Sequence, residues 1–152
     1  MTSTLALHLP TSKAEGGFLP DLAKLALRLG LGGIFWSSAR TKVDGLLSVS
    51  DNTMWLFEEE YRVPLLSPEI AAHLATYGEH IFPIMLALGL GSRFAALALF
   101  VMTMVIQLFV YPDALLSTHL GWLALAGAVM VFGPGRLSID HQIVKGRQAG
   151  DA

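Results

Sequence analysis

Four stretches of the chain are dominated by apolar residues: Leu22–Ser38, Ile70–Leu90, Phe94–Tyr111 and Leu120–Phe132. The last three follow one another with almost no gap. A helix needs roughly 20 mostly apolar residues to cross a bilayer, and these stretches approach that length. Their ends carry helix punctuation. Pro20 with Asp21 suits a first helical turn, Ser67–Pro68 opens the second stretch, and Gly89–Leu90–Gly91 closes it. Pro112 stops the third, and Gly133–Pro134–Gly135 the fourth. The turn before Arg93 is so short that the second and third segments must be antiparallel neighbours. The pattern predicts an all-α fold, a four-transmembrane-helix bundle with its membrane domain over residues 19–135. Residues 1–18 read as a cytoplasmic N-terminal segment without a signal peptide's basic start and apolar core. Residues 136–152 read as a polar, partly disordered cytoplasmic tail.

Between the first two segments runs a long connection, Ala39 to Glu69. It mixes Trp55, Phe57 and Tyr61 with Glu58, Glu59 and Glu60, which predicts a short amphipathic helix over Asn52–Tyr61 at the headgroup level. Within the first segment Ala26, Gly30, Gly33 and Ser37 form a stripe of small residues, which predicts close helix packing there. With four spans both termini share a side. That side carries Lys13, Lys24, Arg93, Arg136, Lys145 and Arg147, against Arg40, Lys42 and Arg62 opposite, so the basic bias places the termini in the cytoplasm and the connection outside.

Composition narrows the function classes. Only 14% of the 152 residues are charged, against about a quarter in soluble domains, and mean hydropathy is +0.57. A formal net charge of −2 gives no reason to expect nucleic acid. There is no cysteine, which excludes disulfides, thiolate metal sites and thiol chemistry carried by this chain. Electrons in any redox process must reside on a bound cofactor or a partner. The methionines are spaced as packing residues, not as copper ligands.

The few polar residues inside the apolar stretches are therefore the candidates for chemistry. Glu79 lies well inside the second segment, where a carboxylate must be protonated, paired or in a wet cavity. Ala72, Thr76, Glu79, Pro83 and Leu86 share one helical face, which is expected to look into the bundle. Arg28 is the natural counter-charge, and Glu79 with Arg28 is the candidate proton-handling pair. The alternatives are that the pair only locks helix register, or that Arg28 snorkels to the headgroups. His73 and His80 are seven residues apart, about 10 Å along a helix, too far to share a metal ion. Depth leaves His73–His119 as the cross-helix histidine pair, unless these are interfacial histidines that bond locally. Thr103, Gln107 and Tyr111 form a polar stripe on the third segment. Gln107 and Tyr111, with His73, His119, Asp113, Trp36, Arg40 and Lys42, are expected to line an outward polar pocket suited to a quinone headgroup. The alternative is ordinary interfacial anchoring.

Over Leu25 to Asp140 the chain resembles the DoxX family of small four-helix membrane proteins. The resemblance rests on the opening helix with Arg28 and Lys42 just beyond its end, on Glu79 and the run to Gly89–Leu90–Gly91–Ser92–Arg93–Phe94–Ala95–Ala96, and on the closing Gly133–Pro134–Gly135–Arg136–Leu137–Ser138–Ile139–Asp140. The chain departs from the family in having Ala39 where a glycine is frequent, and a longer, more acidic Asn52–Leu66. The resemblance implies a plasma-membrane protein associated with redox processes, in some relatives quinone-linked. It leaves two roles open: a subunit of a membrane redox complex binding quinone through His73, His80, Gln107, Tyr111, His119 and Lys42, or a non-catalytic anchor or assembly factor for a soluble redox or metal-handling partner. Small-residue stripes in such bundles also admit a homodimer.

Overall fold

The computed structural model describes residues 17–61 and 63–150. Lys13 and Arg62, counted above for orientation, and most of the N-terminal segment lie outside the described residues. The chain is mostly helical. Helix α1 spans Phe18–Arg40 and is followed by a two-stranded antiparallel hairpin, β1 Val43–Asp44 and β2 Ser48–Val49, with Val43 opposite Val49. Then come α2 (Asp51–Glu59), α3 (Pro68–Leu88), α4 (Ser92–Phe109), α5 (Leu120–Phe132) and α6 (Ile139–Gly150).

Local chemistry explains the boundaries. Ser50 caps α2 by accepting the Thr53 amide at 3.2 Å, and Ser67 caps α3 with Pro68 in its first turn. Helix α3 ends at Gly89, whose φ of +70° is a left-handed conformation that glycine adopts without penalty. The Gly89 and Leu90 amides close that end on the Leu86 and Met85 carbonyls. The segment before α5 is more than a link. A 3₁₀ turn (Pro112–Ala114) and a π-helical turn (Leu115–His119) lead directly into it, so helical backbone runs from Pro112 to Phe132.

Each of the four long helices packs on two others: α1 on α3 and α5, and α4 on α3 and α5. The core they enclose is small, built from Leu31, Phe35, Leu86, Ala95, Ala96, Leu99, Ala126 and Val129. Helix α4 shows how the faces are distributed. Its buried side carries Ser92, Ala95, Ala96, Leu99, Thr103 and Gln107, whereas Phe94, Leu97, Val101, Leu108 and Phe109 are exposed. Small and polar residues inside with large apolar ones outside is the pattern expected where lipid, not water, is the solvent. Among the described residues two helical stretches, Ser92–Phe109 and Pro112–Phe132, are long and apolar enough to cross a membrane. Helices α1 and α3, at 23 and 21 residues, are as long but are diluted by Lys24 and Arg28 and by His73, Glu79 and His80.

Two expectations are corrected here. The stripe Ala26, Gly30, Gly33 and Ser37 is exposed. The inward face of α1 is the one bearing Arg28, Leu31, Gly32, Phe35 and Ala39, because the bulky apolar residues on it fill the core. Close approach is made by Gly32 instead, where a Cβ would lie 3.4 Å from the Pro83 carbonyl oxygen. The C-terminal tail is also ordered rather than loose through Gly150. Asp140 accepts the Gly91 and Ser92 amides at 2.7 and 3.0 Å, capping α4 from a distance, and its own amide bonds the Gly89 carbonyl at 2.9 Å. Ser138 accepts the His141 amide and starts α6.

Candidate functional site

The connection between α1 and α3 builds the outer part of the site. After α1, the Lys42 carbonyl accepts both the Ser50 amide and the Thr53 hydroxyl at 3.0 Å, which fixes the hairpin and α2 to the end of the helix. The Lys42 side chain then turns inward. Its ammonium donates to Ser38 Oγ and to Glu79 Oε2, each at 2.8 Å. Glu79 is 2% exposed, so Lys42 supplies the compensation that a buried carboxylate requires. Phe57 of α2 packs on Ala71 and Ala72 of α3, holding α2 over the site.

The expected Glu79–Arg28 pair does not form. Arg28 is fully buried, but its Nη1 donates to the Leu86 carbonyl at 2.6 Å and its Nη2 to the Leu137 carbonyl at 2.5 Å. Leu86 lies about two turns, roughly 10 Å, further along α3 than Glu79. Arg28 therefore adds a second donor to the Leu86 carbonyl, which the Gly89 amide also reaches, and through Leu137 ties the C-terminal segment to α1. It neither pairs with Glu79 nor snorkels outward.

Between α1, α3, α4 and α5, beneath α2, lies a cavity of about 380 Å³. Its walls are mainly apolar and include Phe35, Leu74, Ala98, Val101, Val105 and Trp122; its polar groups are Lys42, Glu79, Tyr61, Tyr111, Ser38 and His119. The Tyr61 and Tyr111 hydroxyls are 2.9 Å apart with their rings edge to face, joining the connection to the end of α4. Burial, then the hydrogen bond to Tyr111, pushes the Tyr61 phenol above its ordinary pKa. The Gln107 amide nitrogen donates to the Pro112 carbonyl at 2.5 Å, which turns Oε1 towards His119 Nδ1 at 2.7 Å. With Gln107 so oriented, His119 donates from Nδ1, and in the neutral ring Nε2 is then the acceptor. On the inner side Met102 of α4 lies against Gly78 of α3, where a Cβ would lie 2.9 Å from Met102 Cε.

Of the residues singled out in the sequence, Glu79, Lys42, Tyr111 and His119 thus meet at one cavity. Gln107 is 9% exposed and orients His119 from behind. His73 is not part of this constellation: its Nδ1 bonds the Glu69 carbonyl and its ring lies beside Tyr77, so the His73–His119 pair does not form. His80 faces α1, its ring 5.3 Å from that of Trp36 and its Nδ1 on the Thr76 carbonyl. Trp36, Arg40 and Asp113 are likewise absent from the cavity lining; Arg40 holds the hairpin tip through the Gly45 and Leu46 carbonyls. Sequence reasoning missed Tyr61 as a site residue and Lys42 as the partner of Glu79. One signal was available: Glu79 enters its helix from the outer end, and Lys42 is among the basic residues placed at that end.

The inside-out helices and the charge pair beside an apolar cavity define a small helical membrane protein. Residues 23–112 match the DoxX family model, more than half of the chain, and the chain belongs to that family of membrane proteins. The match includes Arg28, Lys42, Glu79 and the Gly89–Ala96 run, while the closing Gly133–Asp140 segment lies beyond it. Comparison with curated proteins and with solved structures gives no match.

Proposed function

We propose that this chain spans the plasma membrane as a four-helix bundle through α1, α3, α4 and α5, with both termini cytoplasmic, and binds the ring of a lipophilic quinone in the outer cavity. It would serve there as the quinone-binding subunit of a membrane redox system. The observation that carries this reading is the cavity's composition: a volume of about 380 Å³ with apolar walls and a Lys42–Glu79 pair facing it. Ligand sites are typically 300–1,000 Å³, mostly apolar, with a few fixed polar groups. The polar set fits a ring that cycles between dicarbonyl and hydroquinone, because the Lys42 ammonium and one of the two paired tyrosine hydroxyls would donate to a ring carbonyl, and His119 Nε2 would accept from the reduced ring's hydroxyl. Bound quinone would supply two-electron, two-proton chemistry; with no cysteine in the chain, the electrons would come from a partner bearing a redox centre. Lys42 would orient and polarise a ring oxygen, and Glu79 would hold the ammonium in place.

Lipid extraction of the purified protein and titration with a short-chain quinone analogue test this. Co-purified quinone, and weaker binding in Lys42→Met and Tyr111→Phe, are expected. Absence of binding, or binding indifferent to both substitutions, overturns it. A second reading, an anchor for a soluble partner, is favoured by exposed Leu46, Leu47 and Trp55 beside Glu58, Glu59 and Glu60 on the outer connection. Unchanged co-purification of every partner in a Leu46→Ala/Trp55→Ala variant counts against it.

A further inference from the structure

A second cavity, of about 460 Å³, lies at the opposite end of the helices, where α1 and α4 begin and the chain leaves α5. Three cations line it, Lys24 of α1, Arg93 of α4 and Arg136 after α5; Arg136 is held by Asp21, and the Gly-Pro-Gly turn after α5 seats the other two. A Cβ at Gly133 would lie 3.2 Å from Arg93 Nη2, and a Cβ at Gly135 would lie 3.2 Å from Cβ and Cδ of Lys24. Any larger residue at these positions, both at positive φ, would push the cations away.

The carboxylates at this cavity are already engaged. Asp21 accepts the backbone amide and Nε of Arg136, and Asp140 accepts the two amides at the start of α4. Among the described residues neither Lys24 nor Arg93 has a carboxylate within ion-pair distance. The site is left with uncompensated positive charge where apolar helices meet their polar ends. Phe94 and Val144 line the same cavity and are 62% and 54% exposed, and Phe132, just before the turn, is 61% exposed. An anionic head with apolar chains matches both the charge and the exposed surface, which a free anion or a peptide does not.

We propose that this cavity holds the phosphate-bearing headgroup of an anionic phospholipid, with Lys24 and Arg93 as its cations and the acyl chains along Phe94 and Phe132. Basic pockets at helix ends bind anionic lipid headgroups through such charges.

Native mass spectrometry of the detergent-solubilised full chain with phosphatidylglycerol, phosphatidylcholine or inorganic phosphate tests the site. Phosphatidylglycerol is expected to be retained in preference to phosphatidylcholine. Lys24→Gln/Arg93→Gln should weaken that retention roughly thirtyfold, each charge contributing about fivefold. Arg93→Lys should retain most of it, and Lys145→Gln/Arg147→Gln, outside the cavity, should leave it unchanged. Circular dichroism shows whether each variant is folded; if the Gln pair unfolds, the Arg93→Gln single variant carries the test with an expected fivefold loss. The proposal is overturned by equal retention of the two lipids, by equal loss in the Lys145/Arg147 variant, or by inorganic phosphate displacing the lipid at millimolar concentration, which would mark a free-anion site.

Discussion

Lys42 Nζ stands 2.8 Å from Glu79 Oε2, joining the chain just beyond α1 to the middle of α3. The Glu79 side chain is 3% exposed and that of Lys42 16%, so removing either partner strands the other in a poorly solvated place. Glu79→Gln and Lys42→Met are each expected to destabilise by about 3 kcal/mol, the lower end of the range for broken buried pairs, because Lys42 keeps some solvent access. Lys42→Met/Glu79→Gln should lose clearly less than the sum of the two single losses. Denaturant unfolding in detergent, arranged as a double-mutant cycle, checks this; strictly additive losses would show that the two side chains do not act as a pair.

Gly89 marks the tightest junction at the other end. A Cβ there would lie 2.5 Å from Ser138 Cβ and 2.6 Å from Arg28 Nη1. Gly89→Ala combines left-handed strain with overpacking and should cost roughly 2–5 kcal/mol. Gly30→Ala, where a Cβ meets nothing within 4 Å, is the control and should change unfolding little. Equal effects of the two would argue against the Arg28–Ser138 junction.

At Gly78 an added methyl would press on the flexible end of Met102 at 2.9 Å and touch the Phe82 ring edge at 3.4 Å. Gly78→Ala should therefore change stability by less than about 1 kcal/mol while turning Met102 into the outer cavity that it lines. Quinone-analogue affinity should fall several-fold and return in Gly78→Ala/Met102→Ala. Unaltered affinity in Gly78→Ala would place the ligand elsewhere.

Tyr61 carries a phenol whose pKa is raised by burial and by its bond to Tyr111. The folded state therefore holds this proton more tightly than the unfolded state. The sign follows: docking of the connection is fully stabilised below about pH 10, the ordinary phenol value, and loses that contribution as pH rises through the higher folded value. In an absorbance titration, the component lost in Tyr61→Phe should ionise above about pH 10. Ionisation of that component at or below the ordinary value would show the Tyr61–Tyr111 contact to be open in solution.

Much of the architecture was legible along the chain because its determinants are local. Ser67–Pro68, Gly89 and the run of apolar residues between them place α3 without reference to any other segment. The 3.6-residue period also identified the inward face of α3, since Ala72, Thr76, Glu79, Pro83 and Leu86 are all buried. The short α2 was readable for the same reason, from the aromatics Trp55, Phe57 and Tyr61 set among the acids Glu58, Glu59 and Glu60.

The partners of the charges were not legible, because they depend on how each helix is rotated about its axis and which distant segment returns to it. Arg28 and Glu79 were expected near one depth, yet packing of Leu31, Phe35, Leu86 and Leu99 into one core rotates α1 and sets its register on α3 so that Arg28 meets the Leu86 carbonyl, about two turns from Glu79, which is left to Lys42. The same rotation exposes the stripe Ala26, Gly30, Gly33 and Ser37, since small side chains cannot fill a core that larger ones reach. The tail helix is started locally by Ser138 but is pinned to the bundle by Asp140, which meets the amides at the start of α4, a contact 48 residues apart in the chain. Segment type and boundary are thus properties of the sequence, carried by caps, prolines and apolar period. Which ionisable group meets which is a property of the tertiary structure, because burial obliges each charge to take whatever counterpart the packed helices bring within reach.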